Sequence, residues 1–127
     1  MSTDTDTAAP AETAVAAVIR FFDYVDAADY AGAVGLFAPD SVYLRPGYDP
    51  ILGTEGLARF FAQDRPIASG THLLSTVLTV DGTVAVHGEF HGLLRDGSPV
   101  DLRFADFFQH GPTGFVRRDT FFFSPLV

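Results

Sequence analysis

Residues 71–123 read THLLSTVLTVDGTVAVHGEFHGLLRDGSPVDLRFADFFQHGPTGFVRRDTFFF. The stretch contains several runs rich in β-branched and aromatic residues, separated by short segments that contain glycine. These runs are His72–Val80, Thr83–Arg95, Ser98–His110 and Phe115–Phe123. The separators Asp81-Gly82 and Asp96-Gly97 are strong hairpin signals, because both residues can take the positive φ of a two-residue turn. The pattern predicts a four-stranded antiparallel meander.

The segment before this meander has a helical pattern. Apolar residues recur there with the period of a helix, at Val15, Val18, Ile19, Phe22 and Val25. A second, short helix is expected after Asp29 and a third after Thr54, since either side chain can cap a helix. A short strand is expected over Ser41–Arg45. Helices followed by a sheet indicate an α+β fold, with a curved antiparallel sheet wrapped around three N-terminal helices and a central pocket.

Length and charge limit the possible functions. The chain has 127 residues, which predicts one domain over residues 12–127 after a disordered acidic tail over residues 1–11. The net charge of −8 argues against nucleic acid or membrane partners, because an acidic surface repels phosphate groups. There is no cysteine, which excludes disulfides and thiolate chemistry. No signal peptide is visible, so a cytoplasmic location is the default expectation.

The lengths of the hairpin loops predict which residues face each other. Two-residue loops at both Asp-Gly pairs place His87 opposite Thr76 and opposite Asp106, and they place His72 opposite His91. A four-residue loop over Gly111–Gly114 then places Asp106 opposite Asp119. A polar row is therefore expected across the face turned toward the helices, with Glu89 and Arg117 beside it: Thr76, His87, Asp106 and Asp119. A one-residue slip at the third loop would instead turn Asp119 outward and bring Arg118 and Thr120 inward.

The opposite, outer face of the sheet is predicted to be unusually apolar. It is expected to carry Val84, Val86, Phe90, Phe107 and Phe122. An exposed apolar patch of this kind marks an interface, so a homodimer through the outer face is predicted.

Four stretches together resemble the nuclear transport factor 2-like, or SnoaL-like, proteins over most of the chain. YVDAADYAGAVGLFAPDSVY, residues 24–43, is similar to the first two helices and first strand of that family. GTEGLARFF, residues 53–61, is similar to its third helix, and THLLSTVLTVDGTVAV, residues 71–86, to its first long hairpin. ADFFQHGPTGFVRRDTFF, residues 105–122, is similar to its last hairpin.

The resemblance implies a cone-shaped fold and a set of candidate activities. The family includes polyketide cyclases, ketosteroid isomerases, limonene-type epoxide hydrolases and scytalone-type dehydratases, besides proteins that only bind or dimerise. Asp26 resembles the helix aspartate of the dehydratases, and His72 and His87 resemble their two pocket histidines. Glu89 and Asp119 fall where the epoxide hydrolases carry aspartates. His87, however, stands at the position where those enzymes have an arginine.

The resulting hypothesis is a cofactor-free enzyme that acts by acid–base catalysis on a small apolar metabolite of polyketide or terpenoid type. Asp106 or Asp119 is expected to be the base and the other the acid, because adjacent carboxylates resist double ionisation. His87 is the expected proton relay, with Glu89 as a further catalytic candidate. The expected substrate-binding residues are Asp26, His72, Tyr24, Tyr43, Phe104, Phe121 and Arg117.

Other interpretations of the same residues remain open. The polar row could be a satisfied network that fixes the register, with Arg117 neutralising an aspartate. His72, Glu89 and His91 could form a metal site with two histidines and one carboxylate, although no metal is expected. At the level of the whole protein, the alternatives are a small-molecule binding protein with the same pocket and no chemistry, and a dimerisation module whose pocket is filled by phenylalanine.

Overall fold

A computed structural model describes residues 11–123 of the chain. The predicted acidic tail lies outside these residues, except for Ala11, which begins the first helix. The helices and strands, in chain order, are α1 (Ala11–Asp26), α2 (Tyr30–Val34), β1 (Phe37–Leu44), β2 (Ile51–Leu52), α3 (Gly53–Arg59), β3 (Ile67–Val80), β4 (Thr83–Leu94), β5 (Pro99–Gly111) and β6 (Gly114–Phe123). A π-helical turn, Phe60–Asp64, continues α3.

The strands form one curved, unclosed sheet in the order β2-β1-β6-β5-β4-β3. The predicted meander β3–β6 is antiparallel throughout, and the α+β fold is confirmed. The sheet as a whole is mixed, because β1 runs parallel to β6. The predicted strand over Ser41–Arg45 begins earlier, at Phe37, since α2 ends at Val34.

Helix α1 packs against the concave face of the sheet through a stripe of residues at helical spacing. This stripe consists of Ala14, Ala17, Val18, Phe21, Phe22 and Val25. The predicted stripe was partly wrong, since it included Ile19, which is 43% exposed. The buried stripe is rotated about the helix axis relative to the predicted one. Two alanines in the buried stripe allow close approach of the helix, and Phe21 and Phe22 fill the space between the helix and Phe108 of β5.

The three hairpins of the meander differ in how far they follow the predicted register. The first follows the predicted register from its tip as far as Thr76: Val80 pairs with Thr83 and Thr76 with His87. The predicted register of the second hairpin is wrong by one residue. The Leu94 N–H donates to the Ser98 carbonyl, so Arg95-Asp96-Gly97 forms a three-residue loop in which Gly97 has φ of 89°. As a result His87 pairs with Ala105, and not with Asp106.

The third hairpin adopts the slipped register. His110 pairs with Phe115 as predicted, but a bulge follows between Gln109 and His110. Asp106 is therefore opposite Thr120, and Asp119 is opposite Phe107. A further bulge at Ser75 shifts β3 against β4, so that His72 pairs with Phe90. The predicted pairing of His72 with His91 was therefore wrong.

These shifts separate the predicted polar row. Asp106 lies on the concave face and is fully buried, whereas several of its predicted neighbours lie on the convex, outer face of the sheet. The residues placed outside are Thr76, His87, Glu89, Arg117, Asp119 and Phe121. The structure also corrects the placement of four apolar residues, which were predicted on the outer face and instead face the core: Val84, Val86, Phe90 and Phe122. Burial of these apolar side chains is the dominant driving force that fixes the face of each strand.

The outer face nevertheless exposes many large apolar side chains. They are Leu73, Leu78, Val80, Leu93, Phe107, Val116, Phe121 and Phe123, each at least 37% exposed. Among residues 11–123, no helix is long and apolar enough to cross a membrane.

Candidate active site

A narrow pocket lies between the helices and the concave face of the sheet. The space between its lining atoms is about 450 Å³ including the open solvent at its mouth, but the part that the centre of a water molecule can reach is only about 20 Å³. Its apolar walls are Phe21, Val25, Phe60, Phe61, Ile67, Phe90, Leu102, Phe104 and Phe122. Its polar lining residues are Arg45, Arg65, His72, Asp106, Arg118 and Thr120. The pocket thus combines aromatic walls with a few ionisable groups, as small-molecule sites do.

His72 of β3 is fixed at this pocket by Asp26 from the end of α1. The Asp26 Oδ1 atom lies 2.6 Å from His72 Nδ1, and Oδ2 accepts the His72 backbone N–H at 2.9 Å. The imidazole is packed between the rings of Phe22 and Phe90, at centroid distances of 4.8 and 4.7 Å. With Nδ1–H donated to Asp26, the lone pair of Nε2 is free to accept a proton.

The electrostatics of His72 favour its neutral form. Burial lowers the pKa of His72 below its ordinary 6.5, and the hydrogen bond and charge of Asp26 offset only part of this effect. Arg118 and Arg65 lower the pKa further by charge repulsion. A neutral imidazole that is oriented by a carboxylate has the arrangement of a general base.

We expect the protein to become less stable as the pH is lowered, because His72 is held in its neutral form in the folded state. Its folded-state pKa lies below the unfolded value of about 6.5, so the unfolded chain binds more protons below that pH. The free energy of unfolding should therefore decrease as pH drops from 6.5 through the folded pKa, and His72→Gln should flatten this dependence. Urea unfolding of both proteins across this range measures the difference. Identical slopes would contradict the burial of a neutral His72.

Asp106, predicted to be a base, is instead half of a buried salt bridge with Arg118. Arg118 Nε and Nη2 donate to the two Asp106 carboxylate oxygens at 3.2 and 2.8 Å. Burial, the largest single influence, lowers the pKa of Arg118, but the charge and hydrogen bonds of Asp106 together with the charge of Tyr43 outweigh it and raise that pKa. The guanidinium carbon also lies 4.4 Å from the ring centroid of Tyr43. A carboxylate held in this way is a structural anion and not a free proton acceptor.

A directed chain of hydrogen bonds ends at the same carboxylate. Thr120 Oγ1 donates to Asp106 Oδ1, so the Thr120 oxygen must accept the proton of Tyr43, whose hydroxyl lies 3.0 Å away. The Tyr43 oxygen in turn accepts from Arg45 Nη1 at 3.3 Å. Tyr43, predicted to bind substrate, therefore has its proton committed to Thr120.

The remaining predicted site residues are divided between the pocket and the outside. His72 and Phe104 line the pocket, and Asp26 lies directly behind His72. Tyr24 is a half-buried side chain packed on the core and is not among the lining residues. The predicted placement of the others in the pocket was wrong: His87, Glu89, Asp119, Arg117 and Phe121 lie on the outer face. On that face Arg117 lies 3.8 Å from Asp119, and His87 contacts Arg103.

The alternative metal site is not assembled. His72 faces the pocket, whereas His91 lies outside, where its two ring nitrogens contact Asp101 at 2.6 Å and Glu89 at 2.9 Å. These two hydrogen bonds raise the pKa of His91. In the described part of the chain, no group of three His, Asp or Glu side chains could hold a metal ion.

Two pocket arginines, Arg45 and Arg65, are not anticipated by the sequence patterns. Each is followed by proline, which favours an extended backbone and ends the preceding element. The π-helical turn before Arg65 adds to this effect, because the Arg65 N–H donates to the Phe60 carbonyl five residues earlier. Two Arg-Pro pairs, each at the end of an element, were the only local signal of these residues.

The comparisons with known proteins agree with this fold. The model of the SnoaL-like domain matches residues 18–115, which is more than half of the chain. Among curated proteins, none matches the sequence significantly.

Solved structures of low sequence identity superpose on most of the chain. An NTF2-like protein of unknown function from Burkholderia pseudomallei has a TM-score of 0.79 at 15% identity, over 87% of this chain and 90% of that one. A candidate SnoaL-like polyketide cyclase from Jannaschia sp. CCS1 has a TM-score of 0.74 at 16% identity, over 86% and 84%. SalBIII, an epoxide hydrolase/cyclase-like enzyme of pyran ring formation in the polyether salinomycin, has a TM-score of 0.77 at 17% identity, over 88% and 92%. At such identities the likeness shows the fold alone.

Proposed function

Since the chain belongs to the SnoaL-like domain family, we propose that it is a cofactor-free enzyme that performs acid–base catalysis on a small, largely apolar metabolite. The observation that carries this proposal is the His72–Asp26 pair, held in an aromatic pocket by two hydrogen bonds. The candidate reactions are cyclisation, isomerisation, dehydration and epoxide opening of a polyketide- or terpenoid-like compound. Each of them includes a proton transfer that a positioned imidazole can perform.

In the proposed mechanism His72 is the catalytic base and Asp26 is a positioning residue. His72 Nε2 removes a proton from the substrate, while Asp26 holds Nδ1–H and stabilises the imidazolium that forms. Negative charge that develops on the substrate is stabilised by the guanidinium of Arg65, which lines the same pocket and forms no salt bridge with the described side chains. The aromatic walls exclude water, so these charges interact strongly.

Two features suggest that Asp26 is retained for this role. It lies in the last turn of α1, where a carboxylate faces the negative end of the helix dipole and no basic residue compensates it. It is also partly buried, with its side chain only 22% exposed. A local placement that costs stability is typical of a functional residue.

The second candidate function is a non-catalytic binding protein that uses the same pocket. The salt bridge between Asp106 and Arg118 favours it, because no carboxylate among the described lining residues is then free to act as an acid or a base. In such a protein the His72–Asp26 pair would orient a ligand by hydrogen bonding and would transfer no proton.

Turnover of model substrates separates the two candidates. We expect the protein to convert at least one member of a panel containing an epoxide, a β-hydroxy ketone, a β,γ-unsaturated ketone and a polyketide-like β-keto ester. The rate should rise with pH through the lowered pKa of His72, because only the neutral ring is a base. Asp26→Asn should shift this rise to lower pH, since it removes a group that raises that pKa. Ligand binding without turnover would instead favour the binding protein.

We also propose that two copies associate through the outer face of the sheet. Phe107 and Phe121 form an exposed aromatic pair there, at a centroid distance of 5.9 Å. Basic Arg103 and acidic Asp101 lie on the same face, so a second copy can complement its charges as well as its apolar surface. Of the residues originally expected to form this interface, only Phe107 is exposed there.

A charge introduced into this face should prevent the association. We expect the unmodified protein to sediment as a dimer at micromolar concentration and Phe107→Glu to sediment as a monomer, because burying an unpaired carboxylate in an apolar interface is costly. Asp40→Lys, at an exposed position of β1, is the control and should leave the dimer intact. A monomeric wild-type protein would contradict the proposal.

A further inference from the structure

We propose that the pocket recognises an organic acid, whose carboxylate is bound by Arg65 and Arg45. This inference deepens the proposed function, on which it rests for the location of the site, by naming the charge class of the ligand. It depends on the balance of charges among the side chains that line the pocket.

The pocket contains more guanidinium groups than carboxylates. Arg45, Arg65 and Arg118 all line it, whereas Asp106 is the only carboxylate among the lining residues. Asp106 is fully used by Arg118, which binds both of its oxygens. Arg45 and Arg65 therefore have no carboxylate partner among the described lining residues, in a site that holds little water. A negatively charged ligand would supply the missing counter-charge.

Of the two arginines, Arg65 gives the stronger evidence for an anionic ligand. It is only 5% exposed, and its guanidinium forms no salt bridge or hydrogen bond with the side chains that the structure describes, those of residues 13–123. Burial and the nearby charges of Arg45 and Arg118 lower the pKa of Arg65 to about 10. Its backbone is fixed, because the Arg65 carbonyl accepts from Arg95 Nε at 2.6 Å. A cation that is this little exposed and has no partner among the described side chains is costly to hold in the fold, and this observation points to a negatively charged ligand.

Arg45 is oriented by aromatic rings and not by an acidic residue. Its guanidinium carbon lies 5.0 Å from the Phe122 ring centroid and 5.2 Å from that of Phe60. Its Nε is buried and has no hydrogen-bond partner in the described residues. The planar fork of a guanidinium matches a carboxylate, with which it can form two parallel hydrogen bonds.

The charge of the pocket is opposite to that of the whole protein. The chain carries a net charge of −8, whereas the lining residues carry a surplus of positive charge. Such a local reversal favours anions against the repulsion of the remaining surface, as expected of a site with a specific acidic ligand.

Calorimetric titration with matched acids and amides tests the proposal. The probes are benzoate, salicylate and cinnamate, each compared with its neutral amide at pH 7. We expect at least one acid to bind about tenfold or more tightly than its amide, as charge-assisted hydrogen bonds imply. Arg65→Met and Arg45→Met should each remove this preference. Arg103→Met, which removes an arginine from the outer face, should preserve it.

Two further measurements separate the possible causes. Arg65→Met should leave the ligand-free protein at least as resistant to urea as the wild type, because it removes an unpaired buried cation; a purely structural arginine would make the variant weaker. His72→Gln should retain the preference for acids even if it abolishes turnover, so a failure of the proposed catalysis is distinguishable. Equal binding of acids and amides, no binding of any acid, or an unchanged preference in Arg65→Met would overturn the proposal.

Discussion

Asp106→Asn is expected to lower the free energy of unfolding by about 3–5 kcal/mol, because it leaves the buried Arg118 without a counter-charge. Asp106 is 0% exposed and Arg118 is 6% exposed, so water cannot replace the lost anion. Domains of this size are stable by only about 5–15 kcal/mol, so the expected loss is a large fraction of the total stability. Urea unfolding followed by circular dichroism measures the loss. A catalytic base at this position, as expected from the sequence, would instead tolerate Asn without loss of the fold.

A double variant provides the matched control. Asp106→Leu combined with Arg118→Met removes both charges and fills similar volume, so its stability should lie within about 1 kcal/mol of the wild type or above it. Asp119→Asn, on the outer face, should change stability by about 0.5 kcal/mol or less. If Asp106→Asn alone loses less than 1 kcal/mol, the buried ion pair is not the anchor that its geometry indicates.

The second large effect is expected on turnover. His72→Gln should reduce the rate of a converted substrate by about 10²–10⁴-fold, which is the usual contribution of a positioned general base. Glutamine can still donate a hydrogen bond to Asp26, so the helix and strand should stay connected. Steady-state kinetics at saturating substrate measure the effect, and thermal unfolding verifies that the variant is folded.

His87→Gln is the decisive comparison for this site. The sequence-based mechanism makes His87 the proton relay, whereas the structure places it on the outer face beside Arg103 and Phe123. His87→Gln should therefore keep nearly full activity. A large loss in His87→Gln together with a small loss in His72→Gln would reverse the assignment.

The hairpin signals predicted the meander but not all of its registers, and the reason is geometric. At Asp81-Gly82 both residues have positive φ, 51° and 80°, and the loop has two residues as predicted. At Asp96-Gly97 only Gly97 has positive φ, and the loop recruits Arg95 as well. The same dipeptide suits both turns, so the turn sequence alone cannot select the loop length.

The alternation along β4 was a better guide to its faces than the loop lengths. Val84, Val86 and Phe90 alternate with His87 and Glu89, and burying the apolar set avoids desolvating the charged one. Asp106 was placed correctly because its own neighbours, Phe104 and Phe108, alternate in the same way. Asp26 and His72 were identified through their resemblance to a family pattern, whereas their direct contact joins residues 46 positions apart and depends on packing.

The bulge at Ser75 changes which alternate residues of strand β3 face the core. His72 and Leu74 face inward before it, and Val77 and Thr79 face inward after it, so even-numbered positions give way to odd-numbered ones. The histidine at the pocket and the residues near the hairpin tip therefore obey opposite parities. Without the bulge, the alternation that buries Val77 and Thr79 would continue along the strand and turn His72 outward, away from Asp26 and the pocket.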